Sequence, residues 1–104
     1  MSVSCTHNVD EDRRPAGGMA RGVGIKIDWQ NGPLMVDGER LEPNGAFVED
    51  VILAVISRIK HYQASDFHCI ENAVALGHLL AAFEVLEERT RGRERRGVEG
   101  THQR

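Results

Sequence analysis

The sequence predicts an α+β protein, a small N-terminal antiparallel sheet followed by a two-helix antiparallel hairpin. Two patterns carry this expectation. Val23, Ile25, Ile27 and Trp29 alternate with Gly24, Lys26 and Asp28, the period of a half-buried strand. From Val48 to Leu86 the apolar residues instead recur at three- and four-residue steps, the period of amphipathic helices. A third observation bounds both: 104 residues allow one domain.

Taken in order, residues 1–21 mix Asp, Glu, Arg and Gly without a hydrophobic period and end in Pro15-Ala16-Gly17-Gly18. They have too little apolar surface to offset chain entropy, and a disordered leader is expected. Met19 follows at once and is a candidate translation start, which an intact mass would decide. Residues 22–104 are then a single domain, with short strands over 22–43, a helical hairpin over 44–97 and a tail over 98–104.

Within that domain the strand through Val23–Trp29 meets a turn at Asn31-Gly32-Pro33. Leu34-Met35-Val36 is a second short strand, and Asp37-Gly38 is a hairpin signal leading to Arg40 and Leu41. Asn44 is the expected N-cap of the first helix, with Glu49 and Asp50 in its early turns, where the helix dipole favours acids. Val48, Val51, Ile52, Val55, Ile59 and Tyr62 form its stripe, which runs to about Gln63. Ala64-Ser65-Asp66 is the break, with Asp66 or Ser65 as cap of the next helix. Cys69, Ala73, Leu76, Leu79, Leu80, Phe83 and Leu86 mark one side of that helix, and a short connection makes the two helices antiparallel neighbours. Gly92 weakens the helix and Gly97 stops it.

Composition narrows the function. No apolar run approaches the roughly 18–20 residues of a membrane span, and no signal-peptide core is present; a soluble, cytoplasmic protein is expected. Cys5 and Cys69 are read as free thiols. The net charge is −3, yet six of the thirteen basic residues fall in the last sixteen positions: Arg89, Arg91, Arg93, Arg95, Arg96 and Arg104. A mildly acidic chain with a basic end suits a small anionic ligand better than a long nucleic-acid footprint. The histidines and Cys69 show no metal-ligand spacing, no base is placed beside Cys69, and the Gly-containing loops lack a phosphate-loop context. No enzyme, metal or cofactor is expected.

Four residues stand out as candidate ligand contacts. Asn72 lies on or beside the apolar stripe of the second helix, where an amide needs a partner. It either bonds the preceding loop or reads the edge of a base. Tyr62 ends the first stripe, either as a core or rim tyrosine or as a stacking surface beside Asn72 at the same bend. Arg89 and Arg93 share a helix face, and their guanidinium forks suit phosphate oxygens. The plainer alternative is a solvated helix end, salt-bridged by Glu87, Glu88 and Glu94. Seventeen residues of helix separate Asn72 from Arg89, roughly 25 Å at 1.5 Å per residue. A mono- or dinucleotide cannot touch both in one chain. A site that uses both is therefore shared between chains of opposite polarity, as in a two-fold dimer.

These residues also carry a family resemblance. Ile25-Lys26-Ile27 through Gln30-Asn31-Gly32-Pro33 resembles the opening of the anti-Thoeris branch of a phage hairpin-domain family. Phe67-His68-Cys69-Ile70-Glu71-Asn72-Ala73, the Leu76–Leu86 stripe and the run from Arg89 to Gly97-Val98-Glu99-Gly100-Thr101-His102 resemble its C-terminal signature. The similarity spans about residues 23 to 103, excludes the leader, and is most specific in the arginine-rich ending. The related anti-CBASS branch shares the hairpin. The resemblance implies an anti-defence protein of an infected bacterial host's cytoplasm, which sequesters cyclic ADP-ribose isomers, and in some members cyclic di- or trinucleotides, without cleaving them. It further implies dimers and hexamers built through the hairpin. The stacking aromatic would fall on Tyr62, the base-reading amide on Asn72, and the phosphate-binding arginines on Arg89 and Arg93. Tyr62 stands where phenylalanine is common, Gly92 where an acid is usual and Ile70 where arginine is usual, differences that bear on ligand preference. The competing expectation is a phage adaptor whose hairpin only oligomerises and binds no nucleotide.

Overall fold

The computed structural model describes residues 2–95, with side chains through residue 92. The expected tail, Gly97 and the final arginines lie outside the described residues. The class is as expected: an antiparallel sheet followed by two helices. The chain divides into an N-terminal unit that runs to Phe47 and a helical unit, Val48–Gly92.

The first difference from expectation lies in the leader. Ser4–Val9 (β1) and Pro15–Gly22 (β2) are strands, paired antiparallel with Cys5 opposite Ala20 and His7 opposite Gly18. Every side chain of β1 is exposed, so apolar burial does not specify this pairing. Turn chemistry and backbone approach do. One carboxylate oxygen of Asp10 accepts from the backbone N–H of Asp12 at 2.8 Å and of Arg14 at 3.0 Å, closing the turn while Arg13 takes a left-handed φ of 62°. Gly18 lets the strands meet. Its φ is 138°, and a Cβ there would lie 2.2 Å from the Thr6 carbonyl oxygen.

β2 continues into Ile25–Asp28 (β3) through Val23-Gly24, with Met19 opposite Asp28 and Arg21 opposite Lys26. Val23 is thus a fully exposed turn residue rather than the first residue of the strand. Arg21 donates to the Ile27 carbonyl at 2.7 Å and to the Asp28 carboxylate at 2.6 Å, pinning the register of this pair. Met35–Val36 (β4) and Glu39–Arg40 (β5) form the second hairpin, turning at Asp37 and Gly38, both with positive φ. That is the backbone twist a two-residue hairpin turn prefers.

Asn44 is a second difference. The first helix, Val48–Gln63 (α1), begins four residues later, so Asn44 does not cap it. Its amide instead bonds both backbone groups of Asn31, at 2.8 and 2.9 Å, while its own N–H donates to Gln30 Oε1 at 2.9 Å. Ala46 then donates to the Asp28 carbonyl and accepts from the Gln30 N–H, adding an isolated parallel bridge beside Trp29. Gly45 permits this approach, since a Cβ there would sit 2.6 Å from Trp29 backbone atoms.

The second helix runs from Ile70 to Arg95 (α2) without a break, so Gly92 is accommodated within it. Neither Ser65 nor Asp66 caps it. Ser65 serves the end of α1, its hydroxyl donating to the Tyr62 carbonyl at 2.6 Å. Cys69 takes the cap position of α2, its sulfur accepting the Asn72 N–H at 3.4 Å. Among the described residues only Ala20, Leu34 and Ile56 are buried apolar side chains, whereas Phe67, Ile70, Val74 and Val85 are largely exposed.

Candidate functional site

The bend between the helices is built by hydrogen bonds rather than by packing. Gln63, the last residue of α1, clamps Cys69: its Oε1 accepts the Cys69 N–H and its Nε2 donates to the Cys69 carbonyl, both at 3.0 Å. Ser65 Oγ accepts from the Phe67 N–H at 3.1 Å, and the Ser65 carbonyl meets His68 Nδ1 at 2.8 Å. The loop is thereby held between Tyr62 on one side and Asn72 on the other.

Asn72 donates through Nδ2 to the Phe67 carbonyl at 3.3 Å. The loop-bonding alternative is therefore observed. It leaves Oδ1 and one amide proton without a partner among the described residues, which is an acceptor and a donor side by side. That is the pattern an adenine edge answers. Tyr62 is half-buried, with its ring tilted against His61 at 6.2 Å between centroids. Arg58, to which sequence reasoning assigned no role, donates from Nε to the Tyr62 hydroxyl at 3.2 Å and places its guanidinium carbon 5.1 Å from the ring centroid. The i, i+4 spacing of Arg58 and Tyr62 was the available signal.

The structure brings Tyr62 and Asn72 to one bend and leaves the arginines at the far end of α2. Arg91 is engaged by Glu87 at 3.2 Å and by Glu88 at 2.9 Å. Arg89 is exposed and has no ion-pair partner among the described residues. Among the described residues the salt-bridged helix end thus describes Arg91. Arg93 lies in the last turns of α2, and its side chain is outside the described set. No group of three or more His, Cys, Asp or Glu able to hold a metal occurs among the described residues. No described helix is long and apolar enough to cross a membrane.

No protein-family model matches the chain. A curated relative does: Thoeris anti-defense 1 of Bacillus phage SBSphiJ7 is 40% identical over 95 residues, covering 84% of this chain. The chain is thus similar to an anti-Thoeris protein. It spans 64% of the length of that anti-Thoeris protein.

Proposed function

We propose that this protein is a phage anti-defence factor that captures cyclic nucleotide immune signals, cyclic ADP-ribose isomers foremost and cyclic di- or trinucleotides besides, and holds them chemically unchanged. The kinship with an anti-Thoeris protein supports the anti-defence role. The observation that carries the binding mode is the bend itself. It holds an aromatic ring and an amide whose Oδ1 and second amide proton have no partner among the described residues, while Arg89, with no ion pair among those residues, stands toward the other end of the same unbroken helix. Tyr62 stacks the base, Asn72 reads its edge, and Arg89 and Arg93 of a second chain hold the phosphates. A homodimer is the smallest assembly that completes such a site, and a hexamer repeats it. Neither the membrane nor nucleic acid is a partner, and no cofactor is used.

The test is incubation with a panel of cyclic nucleotides, filtration, heat release and mass spectrometry. Recovery of a cyclic ADP-ribose isomer at unchanged mass is expected. Failure to retain any member of the panel would overturn the reading, and release of a hydrolysed product would replace it with an enzyme. The adaptor reading draws on one observation, the exposed apolar residues Phe67 in the bend and Ile70, Val74 and Val85 along α2. An adaptor would oligomerise, retain nothing and ignore Arg89→Glu.

A further inference from the structure

We infer that Arg58 is a phosphate-binding residue of the Tyr62 site, held in position by the tyrosine hydroxyl, so that a single turn of α1 offers a base platform and an anion fork together. The inference rests on Tyr62 being the platform. Arg58 and Tyr62 are one helical turn apart, and both contacts between them are specific. The Nε–H donates to the hydroxyl at 3.2 Å, and the guanidinium carbon lies 5.1 Å from the ring centroid. The side chain is exposed, and its two terminal nitrogens have no partner among the described residues.

Arg21 is neutralised by Asp28, and Arg91 by Glu87 and Glu88. Among the described residues Arg58 meets only a neutral hydroxyl, on one nitrogen, so it is oriented and yet has no carboxylate beside it there. Its paired terminal amino groups remain open to two parallel hydrogen bonds, the geometry a phosphate accepts. Arg89 of the same chain lies some 25 Å from Asn72 along α2 and is out of reach. A cyclic dinucleotide-sized ligand carries two phosphates. Arg58 holds one from the chain that stacks the base, and the second chain's arginines hold the other. The hydroxyl has a purpose here that phenylalanine cannot serve.

The test titrates cyclic ADP-ribose, in each ribose-linkage isomer, against the full-length protein at about 50 and 200 mM salt. Arg58→Gln should weaken binding about tenfold at the lower salt and distinctly less at the higher, because the lost contact is a screened charge. Arg58→Lys should retain part of the affinity. Tyr62→Phe should cost about threefold in the wild-type background and nothing in the Arg58→Gln background, the signature of a coupled pair. Oligomer mass and melting temperature serve as controls. Wild-type affinity in Arg58→Gln, or a loss equal at both salts and additive with Tyr62→Phe, would overturn the inference. If Tyr62→Ala abolishes binding while Arg58→Gln is silent, the platform stands and the arginine role alone fails. If both are silent, or no isomer binds the wild type, the platform falls as well.

Discussion

Tyr62 is where the proposal is most exposed to test. Stacking a base on an aromatic ring contributes about 1–3 kcal/mol, so Tyr62→Ala should raise the Kd by roughly ten- to a hundredfold in a titration with cyclic ADP-ribose. Tyr62→Phe should stay within about threefold. Equal damage from both would assign the role to the hydroxyl rather than the ring face. Asp28 offers a separate test of folding. The hydrogen bond from Arg21 holds its carboxyl below the usual carboxylate range, against a smaller opposing effect of burial, with the charges of Arg21 and Lys26 helping. A lowered value means stability that is present above the ordinary carboxylate range and lost as pH falls through the lowered one. Asp28→Asn should therefore lower the melting temperature at pH 7, and the gap from wild type should close as the pH falls below the ordinary carboxylate range. A constant gap would show that the pair does not act through charge. At this scale the sequence singles out Tyr62 and Asn72 as candidates because each is a polar or aromatic residue on or at the end of an apolar stripe, and Arg89 because it belongs to an arginine run. It was silent on Arg58, since an arginine on the polar side of a helix looks like every other solvated cation. It misled at Asn44, whose side chain found backbone partners thirteen residues away in Asn31 and left the helix start to others.

Among the elements, the helices followed from the three- and four-residue spacing of their apolar residues, a pattern repeated over sixteen or more positions, although Ile56 is the one buried side chain in the described part of either helix. The β1–β2 hairpin did not, because none of its β1 side chains is buried and its pairing rests on backbone groups that every sequence possesses. Its only local marks are Asp10, whose carboxylate closes the turn, and Gly18, whose missing side chain admits the partner strand. Gly18→Ala should accordingly separate β1 from β2, since a Cβ would meet the Thr6 carbonyl oxygen at 2.2 Å. Amide exchange should speed up across β1 while the α1 and α2 amides keep their protection. Unchanged protection of β1 would mean the hairpin tolerates a register shift. The bend gives a parallel test. Gln63→Ala removes two hydrogen bonds to Cys69, each typically contributing about 0.5–1.5 kcal/mol net. A stability loss of about 1–3 kcal/mol in denaturant is expected, with ligand affinity falling too because Asn72 is positioned through the same loop. Loss of stability with intact affinity would detach the clamp from the site.

At the scale of the whole molecule, three buried apolar side chains among the described residues are few. Light scattering at micromolar concentration should give a dimer or a hexamer, and a monodisperse single-chain mass would remove the shared site with it. Complementation then probes who supplies what. Asn72→Ala and Arg93→Glu homo-oligomers should each bind poorly. In a verified mixed dimer one pocket collects both lesions and the other collects none, so about half a site per dimer should return. No recovery would show that Asn72 and Arg93 serve different pockets.

The unbroken course of α2 from Ile70 to Arg95 makes that helix a ruler. Seven extra residues between Leu79 and Leu80 would lengthen it by about 10.5 Å and turn its far end by only about 20°. A site drawing Asn72 and Arg89 from one chain could not survive such stretching. Two antiparallel chains of equal length still meet end to end, so both pockets should persist and simply move apart. An insertion of two residues, about 200° out of phase, should destroy both pockets at once. Pairing one stretched chain with one ordinary chain should spoil at least one of the two, because unequal rulers cannot be flush at both ends. Capture of cyclic ADP-ribose by these three lengths and pairings reads the symmetry of the assembly from ligand stoichiometry alone.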